Sequence, residues 1–320
     1  MTKLAVDFGN GFSNFTDGEQ TVSLRSRYEY SSGFLKSNSL ESITHRIKYL
    51  DSDNSEQMIC VGGGFGGIPT YETTKPTAAE HIFPALLIGL AQKTTFNSID
   101  LIVIDTNPNK NQPIYEEKLL GKHSVSYIFN DVLQTLNVEV NSVVCVQEGV
   151  GAFKQYVKIN PITKPNGLVG VQNVGAGTMD LLLFNKDGKC VAKQSLENRG
   201  CLRFAQWFST QLRNSGVIEF DKEPSEMFQV LESQKLQLQT KNTVMESTTI
   251  SVANELKTAS KDYYYGGCKK MLQALEEFKP YLEKIVFTGG LANNISLGKT
   301  ETNKVAISQN PLLDNVLGVL

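Results

Sequence analysis

The 320-residue chain is short of several things at once. No apolar run reaches the roughly 18 residues that a membrane-crossing helix needs, so no membrane span is expected. Neither charge dominates: 31 Lys and Arg against 33 Asp and Glu leave a net charge of −2, which gives no global pull toward nucleic acid. Cysteine is sparse. Cys60, Cys145, Cys190, Cys201 and Cys268 are widely spaced without a Cys-x-x-Cys. That argues against a zinc ribbon or a disulfide scaffold and for a reducing, cytoplasmic setting. The three histidines, His45, His81 and His123, are scattered and read as structural or surface residues rather than a metal set. The first residues read at once as a strand, leaving no signal peptide to expect. What is left is an ordinary globular composition, 40% hydrophobic and 20% charged, long enough for two domains.

Two glycine turns stand out, each after an apolar strand. The first is Leu4-Ala5-Val6-Asp7-Phe8-Gly9-Asn10-Gly11. The second runs from Leu168-Val169-Gly170-Val171-Gln172-Asn173-Val174 through Gly175-Ala176-Gly177-Thr178 into Met179-Asp180-Leu181-Leu182-Leu183-Phe184. Glycine reaches positive φ cheaply, so the N–H groups of such a turn can converge on an anion. A carboxylate at the strand end would repel phosphate directly but suits the water shell of Mg²⁺. Taken singly, either turn is equally an ordinary hairpin turn. Both continue as strands, unlike a Walker loop or a Rossmann turn, where a helix follows. Gly298-Lys299-Thr300 lacks the earlier glycine of a Walker loop, since that position is Asn293, and reads as a loop. A third element, Lys284-Ile285-Val286-Phe287-Thr288-Gly289-Gly290-Leu291-Ala292-Asn293, is an apolar strand ending in a double glycine before an expected helix. Such an end lets a flat ligand approach the backbone.

The rest of the pattern is α/β with a weak internal repeat. Residues 31–75 are polar and rich in Ser and Gly, ending in Gly62-Gly63-Gly64-Phe65-Gly66-Gly67, and read as a small inserted subdomain with loops. Thr77 to Gln92 has helical spacing, with Pro84 expected to kink it or restart it. Ile99 to Asp105 and Val138 to Val146 read as strands, and Gly200 to Ser215 as a helix whose aromatic stripe (Phe204, Trp207, Phe208) suits a core. Thr248 to Lys279 reads as one long helical region.

On these residues the chain resembles the actin-like ATPase superfamily. Asp7-Phe8-Gly9-Asn10-Gly11 resembles its phosphate 1 loop, Asn173 to Asp180 its phosphate 2 loop, and Thr288-Gly289-Gly290-Leu291-Ala292 its adenosine motif. Val143 to Ala152 and Asn315-Val316-Leu317-Gly318 resemble its two connecting segments. Within the superfamily the chain is most similar to the bacterial plasmid-segregation actins of the ParM/StbA type, Gram-positive branch. The start Val6 to Phe12 and the stretch Pro224-Ser225-Glu226-Met227-Phe228 with Gln234-Lys235-Leu236 carry that likeness, the latter resembling nucleotide-lid helices. The resemblance implies a duplicated fold, two ribonuclease-H-like domains around a nucleotide cleft. Domain I would span 1–149, with the insertion at about 31–75 and residues 311–320 returning to it. Domain II would span 150–310, with a helical lid at about 201–265.

It further implies ATP or GTP with Mg²⁺, filament formation by self-association, and plasmid DNA engaged through an adaptor bound to a centromere, without direct DNA contact. The nucleotide would meet Asp7, Gly9, Asn10, Gly11, Asn173, Gly175, Ala176, Gly177, Thr178, Gly289, Gly290 and Leu291. Lys235, on a lid helix, would lie over the ribose and adenine edge, or be a solvated lysine. Mg²⁺ would be held through water by Asp7 and Asp180. Glu148, at a strand end before a helix, is the candidate for positioning the attacking water, with Gln147 next if the register is off by one. A helix-capping role for Glu148 is the plainer alternative.

Two positions depart from the family pattern. The lysine expected seven residues after Asp7 is Asn14, and no Lys or Arg occurs between Lys3 and Arg25. The Asp expected to open phosphate 2 is Asn173, which either orients a water as Asp would or slows hydrolysis. A slow Mg²⁺-dependent ATPase or GTPase is therefore the leading expectation. A small-molecule kinase on the same fold, or a non-hydrolysing nucleotide sensor, is the alternative.

Overall fold

A computed structural model of the chain describes residues 2–9, 11–31, 42–48, 56–62, 68–69, 75–129, 132–222, 227, 230–231, 234–239, 247–299 and 301–320. Asn10, Gly63 to Gly67, Pro224 to Glu226 and Phe228 lie outside the described residues. By its internal packing the chain divides into two units, Met1–Gly151 with Asn315–Leu320, and Ala152–Asp314.

In the first unit the strands are β1 (Thr2–Phe8), β2 (Phe12–Thr16), β3 (Thr21–Arg25), β4 (Arg27–Ser31), β5 (Ser42–Lys48), β6 (Glu56–Gly62), β7 (Ile68–Pro69), β8 (Ser98–Asp105), β9 (Gly121–Phe129) and β10 (Val132–Gln147). Helix α1 (Lys75–Ala91) precedes β8 and α2 (Pro108–Leu119) follows it, while α3 (Val150–Ile159) begins after β10 and belongs mostly to the second unit. They form one sheet in the order β3-β2-β1-β8-β10-β9-β5-β6-β4-β7. β1, β2 and β3 are antiparallel neighbours, while β1, β8 and β10 run parallel. β10 is long enough to serve two partners. Its first half is antiparallel to β9 and its second half parallel to β8, with a register shift between Val140 and Ser142. The extra residue there, Asn141, donates its side-chain amide to Ser98 Oγ at 2.7 Å, which gives the bulge a fixed partner. In the segment expected to be a separate insertion, β5 pairs with β9 and with β6, so the main sheet continues into it.

The second unit repeats the core of this plan. Its strands are β11 (Leu168–Val174), β12 (Met179–Phe184), β13 (Cys190–Leu196), β14 (Lys235–Gln239), β15 (Ser247–Ser251), β16 (Leu282–Gly289) and β17 (Val305–Ile307). Its helices are α4 (Cys201–Asn214) and α5 (Ala253–Ala274), and a last turn, α6 (Asp314–Leu317), straddles the unit boundary. The sheet order β13-β12-β11-β16-β17 has the same antiparallel hairpins and parallel pairs as β3-β2-β1-β8-β10. β11 and β12 are buried along their whole lengths, as expected of strands covered on both faces.

Three sequence expectations need correction. The region 248–279 is not one helix: it opens with β15, and α5 starts only at Ala253. Thr248, Thr249 and Ile250 are β-branched and prefer an extended chain. Lys235 is likewise on a strand, paired with Ser251, rather than on a lid helix. The helix expected after Gly290 is a single 3-10 turn, Ala292–Asn294.

α1 passes through Pro84 as one continuous helix. Its residues from Ala78 to Leu90 are nearly all buried, against β1, β2, β3, β5 and α2 among others. That burial outweighs the missing backbone donor, worth about 3 kcal/mol in an exposed helix. Phe83 is fully buried at the centre of this core, edge-on to Phe8, Phe15 and His123 at centroid distances of 6.5, 5.9 and 5.4 Å. Burial also depresses His81 and His123, in keeping with neutral core histidines. Phe83→Ala is expected to cost about 3–5 kcal/mol, read as a lower urea midpoint at unchanged slope.

Candidate functional site

The first turn is shaped by Ser26, a buried residue that no sequence motif marked. Its backbone N–H donates to Gly11 O at 3.0 Å, and its hydroxyl donates to Gly9 O. Ser13 lies 2.8 Å away, hydroxyl to hydroxyl, and braces it. Ser26 therefore draws two carbonyls of the turn to one side.

The second turn reaches the same result by other means. The first amides of α4 would otherwise lack partners. Here Gly200 N–H donates to Gly177 O at 3.0 Å, Cys201 N–H to Gly175 O at 2.8 Å and Leu202 N–H to Ala176 O at 3.0 Å. Gly175 N–H closes the turn on Thr178 O at 3.0 Å. With its carbonyls held by the helix, the turn has N–H groups at Ala176, Gly177 and Thr178 for which no acceptor is found among the described residues. This half-buried cradle of donors fits phosphate oxygens. The close approach requires glycine at position 200, where an added β-carbon would lie 2.3 Å from Ala176 O and 2.6 Å from Gly175 O.

The hairpins also carry matched polar pairs. Asp7 on β1 faces Asn14 on β2, and Asn173 on β11 faces Asp180 on β12. Each hairpin thus has one carboxylate and one carboxamide, on exchanged strands. All four side chains are buried. Asp180 accepts from Thr178 Oγ1 at 2.8 Å and from the Ser195 hydroxyl, with Lys193 Nζ 3.7 Å away. Asp7 Oδ1 has no hydrogen-bond partner among the described residues. Burial raises the Asp7 carboxyl above its usual range, and Lys75 and Asn315 pull it partly back.

Glu148 follows β10, its N–H bonded to Asp105 O at 2.9 Å. Its carboxylate accepts from Lys75 Nζ at 3.2 Å. The same ammonium lies 3.7 Å from Asp7 Oδ1. Burial alone would depress Lys75, but Glu148, Asp7 and Asp105 together hold it above its ordinary value, firmly protonated. Lys75 was not found from the sequence, where nothing links the start of α1 to Asp7. Beneath them Asp105 is fully buried and saturated, by Asn107 N–H at 2.6 Å, Asn111 Nδ2 at 2.9 Å and Tyr115 Oη at 2.9 Å. Gln147 donates its side-chain amide to Thr106 O at 3.2 Å. Asn315 accepts from Gly149 N–H at 3.1 Å, tying the C-terminal turn to the Glu148 corner.

At the end of β16, Gly289 has φ +90 and no room for a side chain, since an added β-carbon would lie 2.4 Å from Val174 O. Gly290 is exposed, while Leu291 is fully buried in the core, so a ligand here would meet backbone rather than the Leu291 side chain. Thr288 has one hydroxyl proton and gives it to Pro311 O at 2.9 Å. Asp314 Oδ2 lies 3.5 Å from the Thr288 hydroxyl oxygen. Lys235, at the start of β14, is exposed.

Among the described residues no group of three or more His, Cys, Asp or Glu could hold a metal directly. Asp7, with a buried oxygen that accepts no hydrogen bond among the described residues, and, in the second unit, Asp180 are each of a kind that suits a hard cation reached through water, as Mg²⁺ commonly is. The donor cradle at Ala176 to Thr178 fits the phosphates such a cation accompanies.

No protein-family model matches the sequence, and no curated protein matches it. Solved structures do. The chain is similar to a ParM from Clostridium botulinum, seen as a 15-stranded filament: TM-score 0.70, 16% identity, 99% of this chain and 97% of that one covered. It is similar to Ta0583, an archaeal actin homolog, at TM-score 0.73 and 14% identity over 99% and 98% of the two chains. A crystal structure of Ta0583 in complex with ADP also matches. Bacillus thuringiensis ParM with ATP is similar at TM-score 0.66 and 14% identity over 99% and 97%. The chain has the actin-like duplicated α/β fold.

Two outcomes are expected. Gly200→Ala should destabilise the protein by about 1–3 kcal/mol through overpacking against the turn, measured by urea unfolding. Asp314 is raised by burial to about 7, against 3.8 ordinarily. Between about pH 4 and 7 the folded state then holds a proton that the unfolded state has released, so stability declines as pH rises through that window. Asp314→Asn should flatten that decline, seen as a Tm less dependent on pH than in the wild type.

Proposed function

We propose that this chain binds ATP or GTP with Mg²⁺, hydrolyses it slowly, and assembles into filaments that move plasmid DNA through a centromere-bound adaptor. The observation that carries the nucleotide reading is the second turn, whose carbonyls are tied to α4 and whose N–H groups face away from that bond. The turn at Gly9 and Gly11 is braced comparably by Ser26, and Gly289 and Gly290 leave backbone open to a flat base. ADP and ATP on similarly folded proteins support the same ligand class. A filament of a similarly folded ParM supports self-association, through heterologous contacts that propagate without closing.

In this reading Asp7 and Asp180 would each serve Mg²⁺ through water, and the ion when bound would neutralise phosphate charge. Ala176, Gly177 and Thr178 donate N–H groups to phosphate oxygens. Glu148 orients the attacking water and takes its proton, as the water oxygen bonds to the terminal phosphorus and the bridging P–O bond breaks. Nucleoside diphosphate and inorganic phosphate are the products. Asn14 offers no charge to the phosphates and Asn173 none to the cation, consistent with slow turnover.

Light scattering with Mg²⁺ and ATP or GTP, alongside phosphate release, tests the proposal. A rise to a plateau is expected, with Glu148→Ala assembling but releasing phosphate at least about tenfold more slowly. Turnover without scattering would point to a kinase instead. Binding with neither would point to a sensor.

A further inference from the structure

The charge of this chain is divided unevenly between its two units. The first holds 11 Lys and Arg against 17 Asp and Glu, a net −6, and the second holds 20 against 16, a net +4. In the second unit one exposed face gathers lysines. Lys154 and Lys158 stand one turn apart on α3, and Lys186 and Lys189 lie in the turn between β12 and β13. Helix and turn are neighbours: Phe153 stacks on Phe184 at 4.9 Å, and a β-carbon at Gly188 would lie 3.6 Å from the Phe153 ring. No ion pair is found for any of these four lysines among the described residues. The acids nearby are Asp187, in the same turn, and Glu283, whose carboxylate already accepts from Thr163 and Lys164. Apolar surface accompanies the charge. Ile159, the last residue of α3, is 60% exposed, and Val191 is 39% exposed. Val191 is on β13, the terminal strand of its sheet, whose outer edge has no strand partner among the described residues.

We infer that this lysine-rich face of the second unit is a contact surface for the acidic first unit of another copy of the chain. This rests on the filament reading above and names a surface for it. Two copies meeting basic face to basic face are opposed by like charge and by the lysines along the sheet edge. The complementary charge is on the other unit, so the pairing joins unlike surfaces. Each copy that joins by its first unit still presents its own lysine-rich face, and the contact propagates without closing. Ile159 and Val191 supply apolar area that leaves water on contact, while the lysines select and orient the partner. Lys193, exposed on the same strand, lies 3.7 Å from Asp180 and belongs to that carboxylate's surroundings.

The test uses the full chain with Mg²⁺ and ATP or GTP. It compares wild type with the double variant Lys154→Glu, Lys158→Glu and with the milder Lys186→Gln, Lys189→Gln, which carries the test if the first does not fold. All four positions lie outside the nucleotide-facing turns, so nucleotide affinity and the urea midpoint are expected to stay at wild-type values. Wild-type scattering should weaken as salt rises from about 50 to 200 mM. The critical concentration for assembly should rise about tenfold or more in the glutamate variant and about threefold in the glutamine variant. The glutamate variant keeps an unaltered first unit. Added in small proportion to wild type, it should therefore join filament ends and lower the plateau. Unchanged critical concentrations in both variants overturn the surface and leave the filament reading standing. So does a loss of binding to labelled duplex DNA in variants that assemble normally, which assigns the face to nucleic acid. A folded glutamate variant that neither assembles nor lowers the wild-type plateau overturns the pairing of unlike surfaces. A wild type that binds nucleotide without assembling overturns the filament reading and the surface with it.

Discussion

Every buried carbonyl and amide must find a partner, and at a tight turn the choice of partner for the carbonyls decides which way the amides face. Both glycine turns of this protein are governed by that constraint. At the second, three consecutive carbonyls are taken by the first amides of α4, groups that a helix leaves unsatisfied in any case. One set of bonds thus caps the helix and orients the turn. The helix N-terminus is occupied by that task, so its effect on an anion is exerted through the turn it holds. Gly200 is the point at which the arrangement has no slack, because any β-carbon there would enter the turn.

The charges follow a second rule, that a buried carboxylate must be compensated. Asp180 has two hydroxyl donors and a nearby lysine, all from its own sheet. Asp7 has less. One of its oxygens lacks a hydrogen bond among the described residues, and its cation comes from a distant helix and is shared with Glu148. The two carboxylates are therefore unlike in spite of their equivalent places in the repeat. Asp180 is held by several donors of its own unit, whereas Asp7 and Glu148 share one ammonium.

Much of this was legible in the sequence, for identifiable reasons. The hairpins around Gly9 and Gly175 and the strand into Gly289 are local: apolar runs broken by glycine, with register fixed by short turns. The facing of Asn173 and Asp180 follows from their spacing, since Val174 and Met179 close a four-residue loop and Asn173 and Asp180 are the next pair out. What stayed hidden was set at long range. Ser26 and Lys75 act on residues far away in the chain, and neither lies in a periodic or glycine-rich context. Lys75 also precedes the residue from which helical spacing was readable, because Pro76 is tolerated in a first helical turn and was no guide to where the helix began. Lys235 falls on a strand rather than a lid helix because its partner strand contains the β-branched Thr248, Thr249 and Ile250, which favour an extended chain.

The repeat preserves topology and lets the bracing diverge. The order and pairing of five core strands are the same in both halves, since those are dictated by burial and by the hand of parallel connections. The turn in the first half is secured by one serine, through one amide and one hydroxyl; the turn in the second half is secured by three helix amides. Side-chain bracing can be lost by a single substitution, while backbone bracing survives most changes of sequence. The second turn is thus the more rigid by construction. The first, flanked by the shared ammonium of Lys75, is the one whose geometry depends on the identity of a few side chains.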